Sequence, residues 1–255
     1  MSLGDKLTLI EHLTELRVRL IRVAWGIFLG LLVCYYFSEK IFEIVRSPIL
    51  PYLPEGGLVF TGPADKFIAH IKVSIFGGIL LTTPFWLFQI WSFVSPALYK
   101  KEKKIALGFI VSGSVLFILG VLFSYYLMLP TAFEFLLGFG GTMDKPMITI
   151  DAYLSFFLMT SLAFGLSFEL PLVLVLLGML GIVSSSFLSK NRRYAVLLLA
   201  FVAAIVTPQP DAFSMLMMLL PLIALYEVSV VLVRFFEKKA SEAQAQGSSD
   251  AQSWD

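Results

Sequence analysis

Ile105-Ala106-Leu107-Gly108-Phe109-Ile110-Val111-Ser112-Gly113-Ser114-Val115-Leu116-Phe117-Ile118-Leu119-Gly120-Val121-Leu122-Phe123-Ser124-Tyr125-Tyr126-Leu127 runs for 23 residues without a charged side chain. As a helix it is about 35 Å long, enough to cross a hydrocarbon core of roughly 30 Å. Its apolar positions are continuous, so it lacks the period-two alternation of a barrel strand. In lipid the backbone must satisfy its own hydrogen bonds, which a helix does within the segment. The stretch therefore reads as a transmembrane helix.

Five further stretches of the same character surround it, at about 21–37, 67–93, 152–178, 194–206 and 212–233. Together they predict an all-α integral membrane protein with six transmembrane helices between residues 21 and 233. Composition agrees: 58% of residues are hydrophobic, 15% are charged, and the mean hydropathy is +0.87. A soluble domain carries about 25% charge. The net charge of +1 offers no basic field for nucleic acid, so no nucleic-acid partner is expected. One cysteine and two distant histidines exclude the usual zinc sites, and no metal or other cofactor is expected. Cys34, inside an apolar run, reads as a small buried hydrophobe. No HExxH, GxSxG or P-loop pattern occurs, so the chain does not read as an enzyme.

Lysine and arginine set the orientation. Lys6, Arg17, Arg19 and Arg22 precede the first span, and Lys100, Lys101, Lys103 and Lys104 follow the second. Lys190, Arg192 and Arg193 follow the fourth, and Arg234, Lys238 and Lys239 follow the sixth. The alternate loops hold only Lys40, Arg46, Lys66 and Lys145. The positive-inside rule then places both termini in the cytoplasm. The second span is long and carries Pro84, which predicts a kink. The fifth apolar run is about 20 Å long as a helix, too short for a normal bilayer. The sixth is interrupted by Glu227, so the last two helices read as short. Ile41–Val45 suits a short interfacial helix ended by Pro48. Residues 240–255, rich in Ser, Ala and Gln, read as a disordered cytoplasmic tail.

Residues 1–20 read as a cytoplasmic amphipathic helix leading into the first span. Leu9, Leu13, Leu16 and Leu20 share one face, with Glu11, Glu15 and Arg19 on another. Glu15 and Arg19 form an i,i+4 pair in the favoured order, worth about 0.2–0.5 kcal/mol. The other reading of Glu15 is an acceptor for a cationic partner in a cytoplasmic groove. Glu102 stands among four lysines, either tempering them or supplying a second carboxylate aimed at the same place. Two carboxylates suit two guanidinium groups, whose planar forks bond carboxylates bidentately. Glu169 lies deep in the fourth span, where a charge costs roughly 2.5–3.5 kcal/mol. It is expected to face protein or a wet cavity, and Pro171 is expected to bend the helix beside it. Glu227 lies nearer the cytoplasmic end of its span and has the reach to snorkel. Gly26-Ile27-Phe28-Leu29-Gly30 reads as a helix-packing face.

Four of these stretches resemble the motifs of one family. His12-Leu13-Thr14-Glu15-Leu16-Arg17-Val18-Arg19-Leu20, the loop Phe93-Val94-Ser95-Pro96-Ala97-Leu98-Tyr99-Lys100-Lys101-Glu102, Phe168-Glu169-Leu170-Pro171, and Thr207-Pro208 followed by Asp211 occur in the order and at the topological sites of TatC proteins. TatC is the multispanning receptor subunit of the twin-arginine protein translocase. The resemblance implies a concave six-helix bundle in a bacterial inner membrane. It implies recognition of twin-arginine signal peptides on folded precursors at the cytoplasmic face. It further implies self-association and assembly with TatA- and TatB-like single-span subunits, within membrane lipid, for transport driven by the proton motive force. Carried over by motif, Glu15 and Glu102 become the arginine acceptors, and Arg17 and Phe93 shape the same patch. Pro48, Pro96, Glu169, Pro171 and Asp211 match positions of functional weight. A secondary transporter using Glu169 as an ion or proton site is the alternative.

Overall fold

The structure, a computed structural model of the chain, describes residues 3–53, 57–94, 103–138, 147–206 and 212–252. Among them the only β pairing is an isolated parallel bridge between Val59 and Thr149. The helices are α1 (Leu3–Tyr36), α2 (Ser38–Arg46), α3 (Asp65–Leu81), α4 (Thr83–Val94), α5 (Lys103–Phe123), α6 (Leu129–Gly138), α7 (Ile150–Ser167), α8 (Leu170–Met179), α9 (Ser185–Lys190), α10 (Arg192–Val206) and α11 (Ala212–Gln252). They fall into two compact units, Met1–Phe164 and Gly165–Asp255.

In the first unit α1 packs on α3 and α4, α2 on α3, and α4 on α5. The Gly26–Gly30 pair is a packing face, as its spacing predicts. A Cβ on Gly30 would meet Thr82 Cγ2 at 2.9 Å, and one on Gly26 would meet the Phe85 ring at 2.5 Å. Cys34 is buried, with its sulfur against Gly77. Between α3 and α4 the chain bends by 58°. Pro84 lacks the N–H that would continue the ladder to the Leu80 carbonyl. The bend also frees the Ile79 carbonyl, which accepts from the Thr83 hydroxyl at 3.1 Å and the Trp86 indole at 3.2 Å. In lipid such replacement donors are what make a broken helix tolerable.

Four helical stretches are long and apolar enough to cross a membrane: Leu13–Tyr36, Leu107–Gly138, Ile150–Met179 and Met215–Lys238. The bent pair Asp65–Leu81 and Thr83–Phe93 makes a fifth if counted as one span. The remaining candidate, α10, has 15 residues and falls short of that length. Several boundaries differ from the expected ones. The lead-in segment and first span are one continuous helix to Tyr36. The third helix does not end at Leu127 but continues to Gly138 through a π turn at Ser124–Met128. There the Leu129 amide reaches back to the Ser124 carbonyl. This one-residue slip lets Pro130 enter a helix that its missing N–H would otherwise stop. Likewise α11 is not the short helix expected from the interruption at Glu227, nor does it give way to an irregular tail at Ala240. It runs from Ala212 to Gln252, and its stretch Met215–Lys238 is long enough to cross a membrane, because one carboxylate that finds a partner in Arg192 does not break a helix.

In the second unit α8, α9 and α10 all pack on α11. Helix α8 ends in a Schellman turn: Gly181 takes φ +70°, and the Ile182 amide bonds the Leu177 carbonyl at 3.0 Å. Ser184 caps α9 by accepting from the Phe187 amide at 3.1 Å. Glu237 on α11 accepts from the Ser185 amide at 2.9 Å and its hydroxyl at 2.5 Å. The Tyr226 hydroxyl donates to the Leu188 carbonyl at 2.9 Å. The short helix α9 is thus pinned to α11 at both ends.

Candidate functional site

The residues quoted from the N-terminal motif sit on α1. Arg19 bonds Glu15 Oε1 through Nε at 2.9 Å and Nη2 at 2.5 Å. Both bonds reach the same oxygen, so Oε2 has no partner among the described residues. The Arg19 side chain is 19% exposed and that of Glu15 37%. The pair therefore lies at a half-wet boundary, where the second carboxylate oxygen remains open to another cation. Arg17, two positions on, is exposed.

Packing brings Phe93 to the same end of this unit. Gly30 contacts Gly78 and Thr82, and Gly26 contacts Phe85. Moving towards the start of α1 thus means moving towards the end of α4, so the two run antiparallel. Phe93 lies in the last turn of α4, two turns beyond Phe85, and Glu15 lies three turns before Gly26. Helix α5 returns along α4: Trp91 meets Phe109 with ring centroids 4.6 Å apart, and Trp86 meets Phe117 at 5.2 Å. The connection from α4 to α5 therefore starts and finishes at the end of the unit that carries Glu15. Pro96 and Glu102, within that connection, lie outside the described residues, as does Asp211.

Pro48 is buried just after α2. Two long-range hydrogen bonds hold the segment. The Tyr125 hydroxyl donates to the Ile44 carbonyl at 2.9 Å, and the buried Tyr153 hydroxyl donates to the Val45 carbonyl. Tyr153 thus satisfies the Val45 carbonyl at the end of α2, and Tyr125 adds a second donor to the Ile44 carbonyl, which also accepts from the Ser47 amide at 3.2 Å. Sequence patterns did not single out either one, because nothing local marks a tyrosine as a cap for a helix about 80 or 108 residues away. Lys72, on α3, bonds Asp151 at 2.6 Å and Ser155 at 3.3 Å. Gln89 is also buried on α4, and its Oε1 has no partner among the described residues. A lone amide in an apolar run was the available signal for it.

In the second unit Glu169 occupies the break between α7 and α8 and is 9% exposed. Its Oε1 has no hydrogen-bond partner among the described residues. Pro171 is buried at the second position of α8, where its missing N–H costs nothing. The preceding amide, on Glu169, turns back to Leu166 at 3.1 Å. Proline and break together put a carboxyl group in an apolar stretch beside freed backbone. Glu227 does not stand alone: Arg192 donates to it at 2.8 Å from the start of α10. Among the described residues no cluster of His, Cys, Asp or Glu has the numbers to hold a metal ion.

Known proteins show the same organisation. The model of one family, Sec-independent protein translocase protein (TatC), matches residues 11–221. A protein of that name from Desulforapulum autotrophicum is 40% identical over 97% of this chain and 93% of its own. Its counterpart from Escherichia coli is 37% identical over 94% and 93%. The fold is similar to the crystal structure described as the twin arginine translocase receptor TatC, with a TM-score of 0.78 and 37% identity, covering 88% of this chain and 98% of that one.

Proposed function

The chain belongs to the TatC family of Sec-independent protein translocase proteins, and on that premise we propose that it is a receptor for twin-arginine signal peptides, seated at the end of the first unit that carries Glu15 and Phe93. It is a transport protein, not an enzyme. The observation that carries the site is Glu15 Oε2, which has no partner among the described residues, at the end of the unit to which Phe93 is brought. Glu15 and Glu102 each take one guanidinium of the signal. Arg17 and Phe93 shape the patch, and Pro96 belongs to the same motif as Glu102. An exposed ion pair contributes only about 0–1 kcal/mol. Partial desolvation and bidentate geometry raise that value. The apolar part of the signal then buries against the spans.

The proposed topology has six spans and both termini in the cytoplasm of a bacterial inner membrane. The bent α3–α4 pair counts as one span and α10 as a short one. The excess of lysine and arginine around residues 6–22, 100–104, 190–193 and 234–239 supports it. TatA- and TatB-like single-span subunits and further copies of this chain are the proposed partners, with transport driven by the proton motive force. Glu169 and Pro171 serve the packing of a signal or partner helix, and Pro48 and Asp211 serve the outer face.

Photocrosslinking tests the reading. Probes at Leu13 and Phe93 are expected to capture a twin-arginine signal peptide and to lose it when the arginines are replaced by a Lys-Lys pair. Equal capture of both peptides would break the assignment of Glu15 and Glu102. It would favour Glu169-based solute transport instead.

A further inference from the structure

We propose that the groove between α1 and the α3–α4 bend is a binding site for one anionic phospholipid, with its headgroup on Arg22 and an acyl chain laid along Leu29, Val33 and Leu81. The groove is open along its side and offers about 490 Å³. It exists because α4 turns away from α3 by 58°, while Gly26 and Gly30 let Phe85 and Thr82 close onto α1 as its floor. Leu29 and Leu81 form its walls. The Thr82 hydroxyl in the lining is already committed to the Gly78 carbonyl at 2.7 Å. The polar functions left to a ligand are the Arg22 guanidinium and, on the next turn of α1, the exposed Trp25 indole N–H, both donors suited to an anionic headgroup.

Length and charge identify the occupant. Along α1 the lining runs from Arg22 to Val33, about 16 Å by helical rise. That matches one leaflet of a hydrocarbon core roughly 30 Å thick. The cation stands at one end of the groove and Val33, about one leaflet away, at the other. Arg22 is exposed and has no ion pair among the described residues, whereas its neighbour Arg19 is held by Glu15. A helix of the same length fills on the order of 1,000 Å³, too much for this groove, while a single extended chain enters whole. An anionic headgroup answers the one unpaired charge, and basic pockets between spans select such lipids.

The test uses the purified chain in nanodiscs of phosphatidylglycerol and phosphatidylcholine at a molar ratio of about 1:4, with neither signal peptide nor partner present. Its outcome is therefore independent of the receptor reading. A benzoylphenylalanine probe replaces the exposed Leu81, and crosslinked lipids are identified by mass. Phosphatidylglycerol is expected to exceed its share about fivefold, the preference that one interfacial cation confers. The excess should vanish with Arg22→Gln and return with Arg22→Lys. Crosslinking in proportion to bulk composition would reduce the groove to ordinary lipid contact and overturn the proposal. So would an excess unaffected by Arg22→Gln, or crosslinks to a second copy of the chain in place of lipid.

Discussion

Gly30 of α1 and Gly78 of α3 face each other so closely that a Cβ on Gly30 would lie 2.9 Å from the Gly78 carbonyl oxygen. One on Gly78 would lie 2.7 Å from the Leu31 amide nitrogen. The obstructing atoms are backbone on both sides, so neither contact can be relieved by a rotamer change. Close approach of this kind replaces the hydrophobic drive that helices lack in lipid.

Gly78→Val should therefore force α1 and α3 apart. The expected destabilisation is about 1–3 kcal/mol, typical of overpacking. Thermal unfolding in detergent measures it. Gly108→Val is the control, because nothing lies within 4 Å of a Cβ there. If the two variants melt alike, the crossing is not a stability determinant.

Glu15→Gln is expected to weaken binding of a twin-arginine signal peptide by about 10- to 100-fold, the range for one hydrogen bond to a charged group. Arg19→Gln should do the opposite or nothing, since releasing an i,i+4 pair frees Glu15 at a cost of at most about 0.5 kcal/mol. Fluorescence titration of a labelled peptide distinguishes the two. Weaker binding in Arg19→Gln would make Arg19 a direct contact or an essential support.

Tyr153→Phe strips a buried donor from the Val45 carbonyl. The loss should be about 1–3 kcal/mol, the desolvation cost of an unsatisfied group. It should concentrate in α2 and the Pro48 segment. Hydrogen exchange is expected to quicken across residues 41–50 and stay unchanged in α10. Tyr125→Phe, whose bond is exposed, should have a smaller effect at the same amides. Uniform acceleration along the chain would contradict this assignment.

Glu227→Gln should leave stability within about 1 kcal/mol, because its pair with Arg192 is exposed on both sides. Transport of a twin-arginine precursor by the complete translocase should be nearly unchanged as well. A complete loss of transport with normal assembly would give Glu227 a role beyond this ion pair.

Much of this molecule follows from local pattern. The apolar runs, the bend near Pro84, the short α2, the Glu15–Arg19 pair and the packing role of Gly26 and Gly30 were all legible. Each depends on residues within a few turns of one another. The early stop expected at Leu127 shows where local rules run out. Proline signals a helix end unless the backbone slips by one residue, and the π turn at Ser124–Met128 does so.

The sequence by itself determined that this chain is helical and membrane-spanning, since lipid obliges every backbone group to find its partner within its own segment. Its four ordered motifs pointed to the family as well. Only the tertiary structure decided which helix each side chain meets: Gly30 with Gly78, Tyr153 with Val45, Lys72 with Asp151, Arg192 with Glu227. Helix periodicity says which face a residue occupies but not which neighbour lies opposite. That choice belongs to packing between segments far apart in the chain, where the bend at Thr82 opened the groove beside Arg22.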